Sequence, residues 1–172
     1  MNNASQAVPQ PPQPPKFERK LHFYPFQLIG IPILFVIPIL ALLGVFGETS
    51  TTIQQAENGL ELEVHYSNRV LFQGLDGTEI HVENTSNQTI SNLTIQIEKS
   101  FLDNYSDLSF TPEVDEITEQ AYVIELLDVQ PGETRIVAYD SRGKIVGSHQ
   151  GRITASTATS SVAVSLDVWI IP

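Results

Sequence analysis

Two periodicities divide the chain. Residues 26–46 read FQLIGIPILFVIPILALLGVF, without a charge and with one strongly polar side chain, Gln27, at the edge. As a helix this run extends roughly 30 Å, the thickness of a bilayer's hydrocarbon core, and it lacks the polar face of a helix packed in a water-soluble core. Pro32 and Pro38 would break it in water, whereas a membrane tolerates them at the cost of a kink. From Leu60 onward the period drops to two. Leu60, Leu62, Val64 and Tyr66 alternate with Glu61, Glu63 and His65; Ile80 and Val82 alternate with Glu79, His81 and Glu83. The pattern returns at Leu93, Ile95 and Ile97, and runs longest through Val162, Val164, Leu166, Val168 and Ile170. Each such run predicts a strand with one buried and one wet face. Turn signals separate them at Asp76-Gly77, residues 84–88, Pro131-Gly132 and Arg142-Gly143. Short alternating strands at this spacing, with no sustained helical period, predict a β-sandwich.

Charge assigns a direction to this layout. Up to Phe26 three cations (Lys16, Arg19, Lys20) face one anion (Glu18), a net +2 that leaves −13 for the remainder of a chain whose net charge is −11. Lys16, Arg19 and Lys20 precede the apolar run, and Glu48 and Glu57 follow it, so the positive-inside rule puts the N-terminus in the cytoplasm. A cleaved signal peptide is the competing reading. The run is longer than a signal h-region and carries two prolines, and it follows a tail of more than twenty residues, which favours an anchor. The expected organisation is a Pro-rich cytoplasmic tail over 1–25, a transmembrane helix over 26–47, a polar tether over 48–59 and an extracytoplasmic domain over 60–172. Phe26, Gly30, Pro32, Pro38, Gly44 and Phe46 mark the membrane-spanning segment.

The stretch IHVENTSNQTISNLTIQI, followed by LLDVQPGETRIVAYD, resembles bacterial immunoglobulin-like domains, in which a strand ends in Asn, an alternating strand returns after a loop, and a Pro-Gly-Glu turn opens a later strand. Anchor and domain together resemble small bacterial single-pass membrane proteins with an extracytoplasmic immunoglobulin-like domain. The resemblance implies an all-β fold, an immunoglobulin-like antiparallel β-sandwich preceded by one transmembrane α-helix. The 113 residues of 60–172 suit the roughly 100 such a sandwich needs. It brings no catalytic residues.

Candidate chemistry is sparse. The chain has no cysteine, which removes disulfides, thiolate metal sites and cysteine nucleophiles and tilts the reading toward a bacterial envelope. The acidic body repels nucleic acid and anionic headgroups. The tail repeats PxxP between Pro9 and Pro15, a pattern of any Pro-rich spacer. His22, His65, His81 and His149 form no HExxH or His-x-His motif, and no carboxylate is read at ligand spacing around them. His65 and His81 fall on the polar phase and are expected at the surface; if their strands pair, the two meet on one face, where a metal or pH-sensing site would lie. Glu113, Asp115, Glu116 and Glu119, with Asp103 and Asp107 beside Asn104-Tyr105-Ser106, miss the EF-hand order and read as solvated loops. Ser148, His149 and Asp140 are close in sequence without a GxSxG elbow. No enzyme, cofactor or metal is expected.

The functional expectation is a membrane-anchored binding or accessory module recognising a protein or glycan at the cell envelope. Phe101, Tyr105, Phe110 and Tyr122 are its candidate aromatic contact surface, with packing in the core or at its rim as the favoured alternative reading of the same four. The alternative is a structural subunit of a membrane complex that associates through its helix, where Gly30, Gly44 and Gly47 would let a neighbouring helix approach. Expected partners are the lipid bilayer and another envelope or membrane protein, with no nucleic acid.

Overall fold

The computed structural model describes residues 25–42 and 50–172, which belong to two compact units, one ending at Leu43 and the other starting at Gly44. The first is an α-helix, α1 (Pro25–Leu42), that carries Pro32 and Pro38 in its interior. Leu34, Phe35, Ile39 and Leu42 stand exposed on it. Its 18 residues rise about 27 Å, and no helix among the described residues is long and apolar enough to cross a membrane. Gly44 and Phe46, expected in the same span, lie outside the described residues, as do the tail before Pro25 and the start of the tether.

The second unit is a two-sheet β-sandwich. Its elements are β1 (Ser50–Glu57), β2 (Leu60–Ser67), β3 (Arg69–Leu71), β4 (Leu75–Asn84), β5 (Ile90–Glu98), the short helix α2 (Lys99–Leu102), β6 (Tyr105–Thr111), β7 (Glu116–Ile117), β8 (Ala121–Val129), β9 (Thr134–Gly143), β10 (Gly147–Ser156) and β11 (Ser161–Ile171). One sheet orders its strands β1-β2-β4-β9-β6, the other β3-β11-β10-β5-β8-β7. The alternation read from the sequence holds. Leu60, Leu62, Val64 and Tyr66 of β2, Leu93, Ile95 and Ile97 of β5, and the even-numbered positions Val162 to Ile170 of β11 are all buried in one core between the sheets, as packing two half-apolar sheets face to face requires.

Two expectations are corrected. The tether over 48–59 is, from Ser50 on, the edge strand β1, in an unbroken antiparallel ladder with β2 from Ser50 opposite Ser67 to Glu57 opposite Leu60. The turn is Asn58-Gly59, with φ of 47° and 81°, the two left-handed residues that a tight hairpin turn demands. β1 is polar because it lies at an edge, where backbone pairing rather than apolar burial holds a strand; of its residues Ile53 packs against the core. Second, the sandwich is not wholly antiparallel. After Asn68 the chain leaves the first sheet, and β3 joins the second parallel to β11, with Arg69 opposite Trp169 and Leu71 opposite Ile171. A three-residue strand at a corner between sheets has no periodic signature in the sequence.

The α2 segment fills a gap at the edge of the core. Phe101, 2% exposed, packs its ring over Gly151 of β10; a Cβ built at Gly151 would collide with that ring and lie 2.7 Å from the Phe101 Cβ. The glycine is needed because the aromatic ring occupies the space of its missing side chain.

Candidate functional site

On the outward face of the first sheet, β2 and β4 each present a Glu-x-His triplet, Glu63-Val64-His65 and Glu79-Ile80-His81. Period two puts the Glu and His of each triplet on one face, and the antiparallel register sets Glu63 opposite His81 and His65 opposite Glu79. The four side chains therefore meet crosswise. Nε2 of His65 lies 3.1 Å from a Glu63 carboxylate oxygen, and Nε2 of His81 lies 3.3 Å from one of Glu79. The two imidazole rings are 4.9 Å apart between centroids and tilted by 57°. Thr52 of β1, opposite His65 in the ladder, brings its hydroxyl 2.9 Å from His65 Nδ1. Potential ligand atoms of Glu63, His65 and His81 all fall within 4.8 Å of one another. These side chains are half-buried, at 34%, 37% and 26% exposure, while Glu79 is 62% exposed. Glu61 and Glu83 stand opposite each other one step along the same face, and neither β2 nor β4 contains a Lys or Arg.

Among the described residues this is the one group of three or more carboxylate or imidazole side chains whose donor atoms converge so closely. The acidic cluster around Glu113 forms no such group: Asp115 accepts the Glu125 backbone N–H at 2.7 Å, and Asp107 pairs with Arg142 at 3.1 Å. His149 bonds the Ile145 carbonyl at 2.7 Å.

The expected aromatic contact surface is dissolved by the fold. Phe101 and Tyr105 are buried, with ring centroids 5.3 Å apart. Phe110 and Tyr122 pack against the core, stacked on each other at 5.5 Å, and Phe110 also meets Tyr139 at 5.5 Å. The rings face inward because the β5–β6 connection and the edge strands fold over the core. Burial drives the Tyr105 phenol far above its ordinary range, with Tyr139 adding to the effect. Burial does the same to Tyr139, opposed by its bond to Thr78.

Of the nine large apolar residues exposed on the sandwich, Ile117, Leu127 and Ile136 lie on β7, β8 and β9, and six lie at the end where Ser50 opens β1. Leu71, Phe72, Leu75, Ile145, Val146 and Trp169 are each at least 45% exposed. Backbone bonds hold their segments together: Phe72 N–H donates to the Ile171 carbonyl and Gln73 N–H to that of Gly143, both at 2.7 Å, and Trp169 N–H to that of Asn68 at 2.9 Å. Arg69, Arg142 and Lys144, three of the six cations after residue 50, lie on these same segments. The opposite end holds a cleft lined by amides and hydroxyls, among them Asn58, Asn87, Thr89, Ser156 and Thr159, with neither an aromatic nor a titratable side chain.

Two sheets packed face to face around one core define a β-sandwich domain. No protein-family model matches the chain, and no curated protein matches it in sequence. Among solved structures, it is similar to the CARDB domain of a Pyrococcus furiosus protein, crystallised in complex with di-metal ions (TM-score 0.45, 13% identity, 65% of this chain and 87% of that one). It is similar to a conjugative transposon lipoprotein from Bacteroides eggerthii (TM-score 0.44, 13% identity, 65% and 98%) and to BslA, a bacterial hydrophobin (TM-score 0.43, 8% identity, 64% and 98%).

Proposed function

We propose that this chain is a membrane-anchored, non-enzymatic accessory module of the cell envelope, with its N-terminus in the cytoplasm, that contacts another membrane or envelope protein through its extracytoplasmic sandwich. The apolar end of the sandwich carries the reading. Large exposed hydrophobics on strand ends and loops at one end of the sandwich, with two aromatic residues and cations among them, have the composition of a protein-contact surface. The apolar character of 26–46 and the exposed Leu34, Phe35 and Leu42 of α1 support the anchor, since such side chains favour a lipid environment. A glycan partner is the weaker alternative, because the polar cleft offers no ring for a sugar to stack on. The same cleft offers no general acid or base.

The test is affinity capture from native membranes with three forms of the full chain: unaltered, with residues 26–46 replaced by an unrelated apolar helix, and with Leu75→Ser and Trp169→Ser together. The module reading expects partners that survive the helix replacement and are lost with the double substitution. Partners lost with the replaced helix and kept by the double variant would instead establish a subunit that associates through its membrane segment.

A further inference from the structure

We infer that Glu63, His65 and His81 form a binding site for a single divalent transition-metal ion of the zinc type, built from residues other than those of the proposed contact surface. Two imidazoles and a carboxylate are a common donor set for such an ion, bound through neutral nitrogen and anionic oxygen at about 2.0–2.2 Å. Tetrahedral ligands at that range stand about 3.4 Å apart, and the three donors already lie within 4.8 Å of one another. Closing the difference takes small rotations of half-exposed side chains and leaves the backbone in place. The cross-strand register makes the site rigid at its base: Glu63 and His81 are direct partners in the ladder, and His65 is two residues from Glu63 on the same strand.

The surroundings favour the ion in two further ways. Thr52 accepts from His65 Nδ1–H at 2.9 Å when the proton sits there, which leaves Nε2, the atom turned toward Glu63, with its lone pair free to ligate. Such outer contacts fix the tautomer and orientation of a metal-bound imidazole. Glu79, 3.3 Å from His81 Nε2, supplies a fourth oxygen or holds that ring. The glutamates of β2 and β4, unopposed by any cation on those strands, attract a dication to this face. The polar edge strand β1 thereby acquires a role: it carries Thr52, which orients the first ligand. Bound metal would staple β2 to β4 across the middle of the sheet.

The experiment is calorimetric titration of the full chain in detergent micelles with Zn²⁺ alone, repeated with Co²⁺, whose visible absorption reports tetrahedral coordination. One equivalent per chain is expected. His65→Gln, His81→Gln and Glu63→Gln should each weaken binding at least about tenfold, and Thr52→Val by up to about tenfold, with circular dichroism unchanged. His22→Gln and His149→Gln should bind as the unaltered chain does. Absence of saturable binding, or full retention of it in both His81→Gln and Glu63→Gln, would show surface His–Glu pairs only and overturn the proposal. Partner capture through the apolar end is read on other residues, so either result stands without the other.

Discussion

Truncating Phe101 to Ala should destabilise the sandwich by about 3–5 kcal/mol, the range for a fully buried aromatic. The ring is 2% exposed and its floor is the bare backbone of Gly151, which has no side chain to relax into the cavity, so the upper part of the range is expected. Gly151→Ala should by itself cost about 1–3 kcal/mol by overpacking, because the new methyl meets the ring. The informative measurement is the double variant. With the ring gone the methyl no longer meets the ring atoms and keeps only its close approach to the Cβ of residue 101, so part of the overpacking is relieved and the double should be more stable than the sum of the single effects by about 1 kcal/mol. Thermal unfolding of the full chain, followed by the β-sheet circular dichroism signal, reads this directly at about 4 °C per kcal/mol for a domain of this size. A neutral Gly151→Ala, or strict additivity in the double variant, would refute the packing. So would Phe101→Ala within about 1 kcal/mol of the unaltered chain, the cost of a surface side chain.

Other outcomes follow from the same geometry. Gly59 has φ of 81° and would bring a Cβ within 2.7 Å of the Ser86 Cβ, so Gly59→Ala should cost about 1–2 kcal/mol and raise amide exchange along β1; unchanged protection there would argue against the Asn-Gly hairpin. Asn84 is fully buried, donates to the Val129 and Gln88 carbonyls, and accepts from Ser86 N–H and hydroxyl. Asn84→Ala should therefore cost about 2–4 kcal/mol in denaturant titration, and a loss under about 1 kcal/mol would mean that the loop stands without it. The folded state holds the protons of Tyr105 and Tyr139 above their unfolded affinity. That contribution is complete below the unfolded value of about 10 and is lost as the pH rises beyond it. The unfolding free energy should accordingly fall in alkali by about 1.4 kcal/mol per pH unit for each tyrosine, and the melting temperature with it. Removing both phenols (Tyr105→Phe, Tyr139→Phe) should flatten the decline, and an unaltered slope would contradict it.

How much of this was legible varies from element to element. β2, β5 and β11 announce themselves because alternate burial writes a period of two, and their apolar residues are the ones the core buries. β1 does not, since an edge strand is stabilised through its backbone and can be polar throughout; the Asn58-Gly59 pair was its one local sign. The aromatic residues went the other way. Phe101, Tyr105, Phe110 and Tyr122 lie among acidic residues in sequence, which reads as surface, whereas burial there is set by what folds over them. The histidine site is half visible. Two Glu-x-His triplets stand on the polar phase of two strands, but only the cross-strand register that sets Glu63 opposite His81 brings them together, and no local spacing encodes it.

The sequence by itself determined the kind of object this chain is: an apolar segment set apart from a sandwich-forming domain by a change of period, a change of charge and the absence of cysteine. Those are local properties, written in the order of apolar, polar and charged side chains along the chain. Tertiary structure alone decided which strands pair and in what register, and with it everything that depends on residues distant in the chain. Glu63 and His81 became neighbours, Phe101 found Gly151, and the apolar side chains near residues 72, 146 and 169 gathered at one end. Pairing is chosen by the summed burial of whole strands and by backbone hydrogen bonding, and no short window of sequence contains that sum.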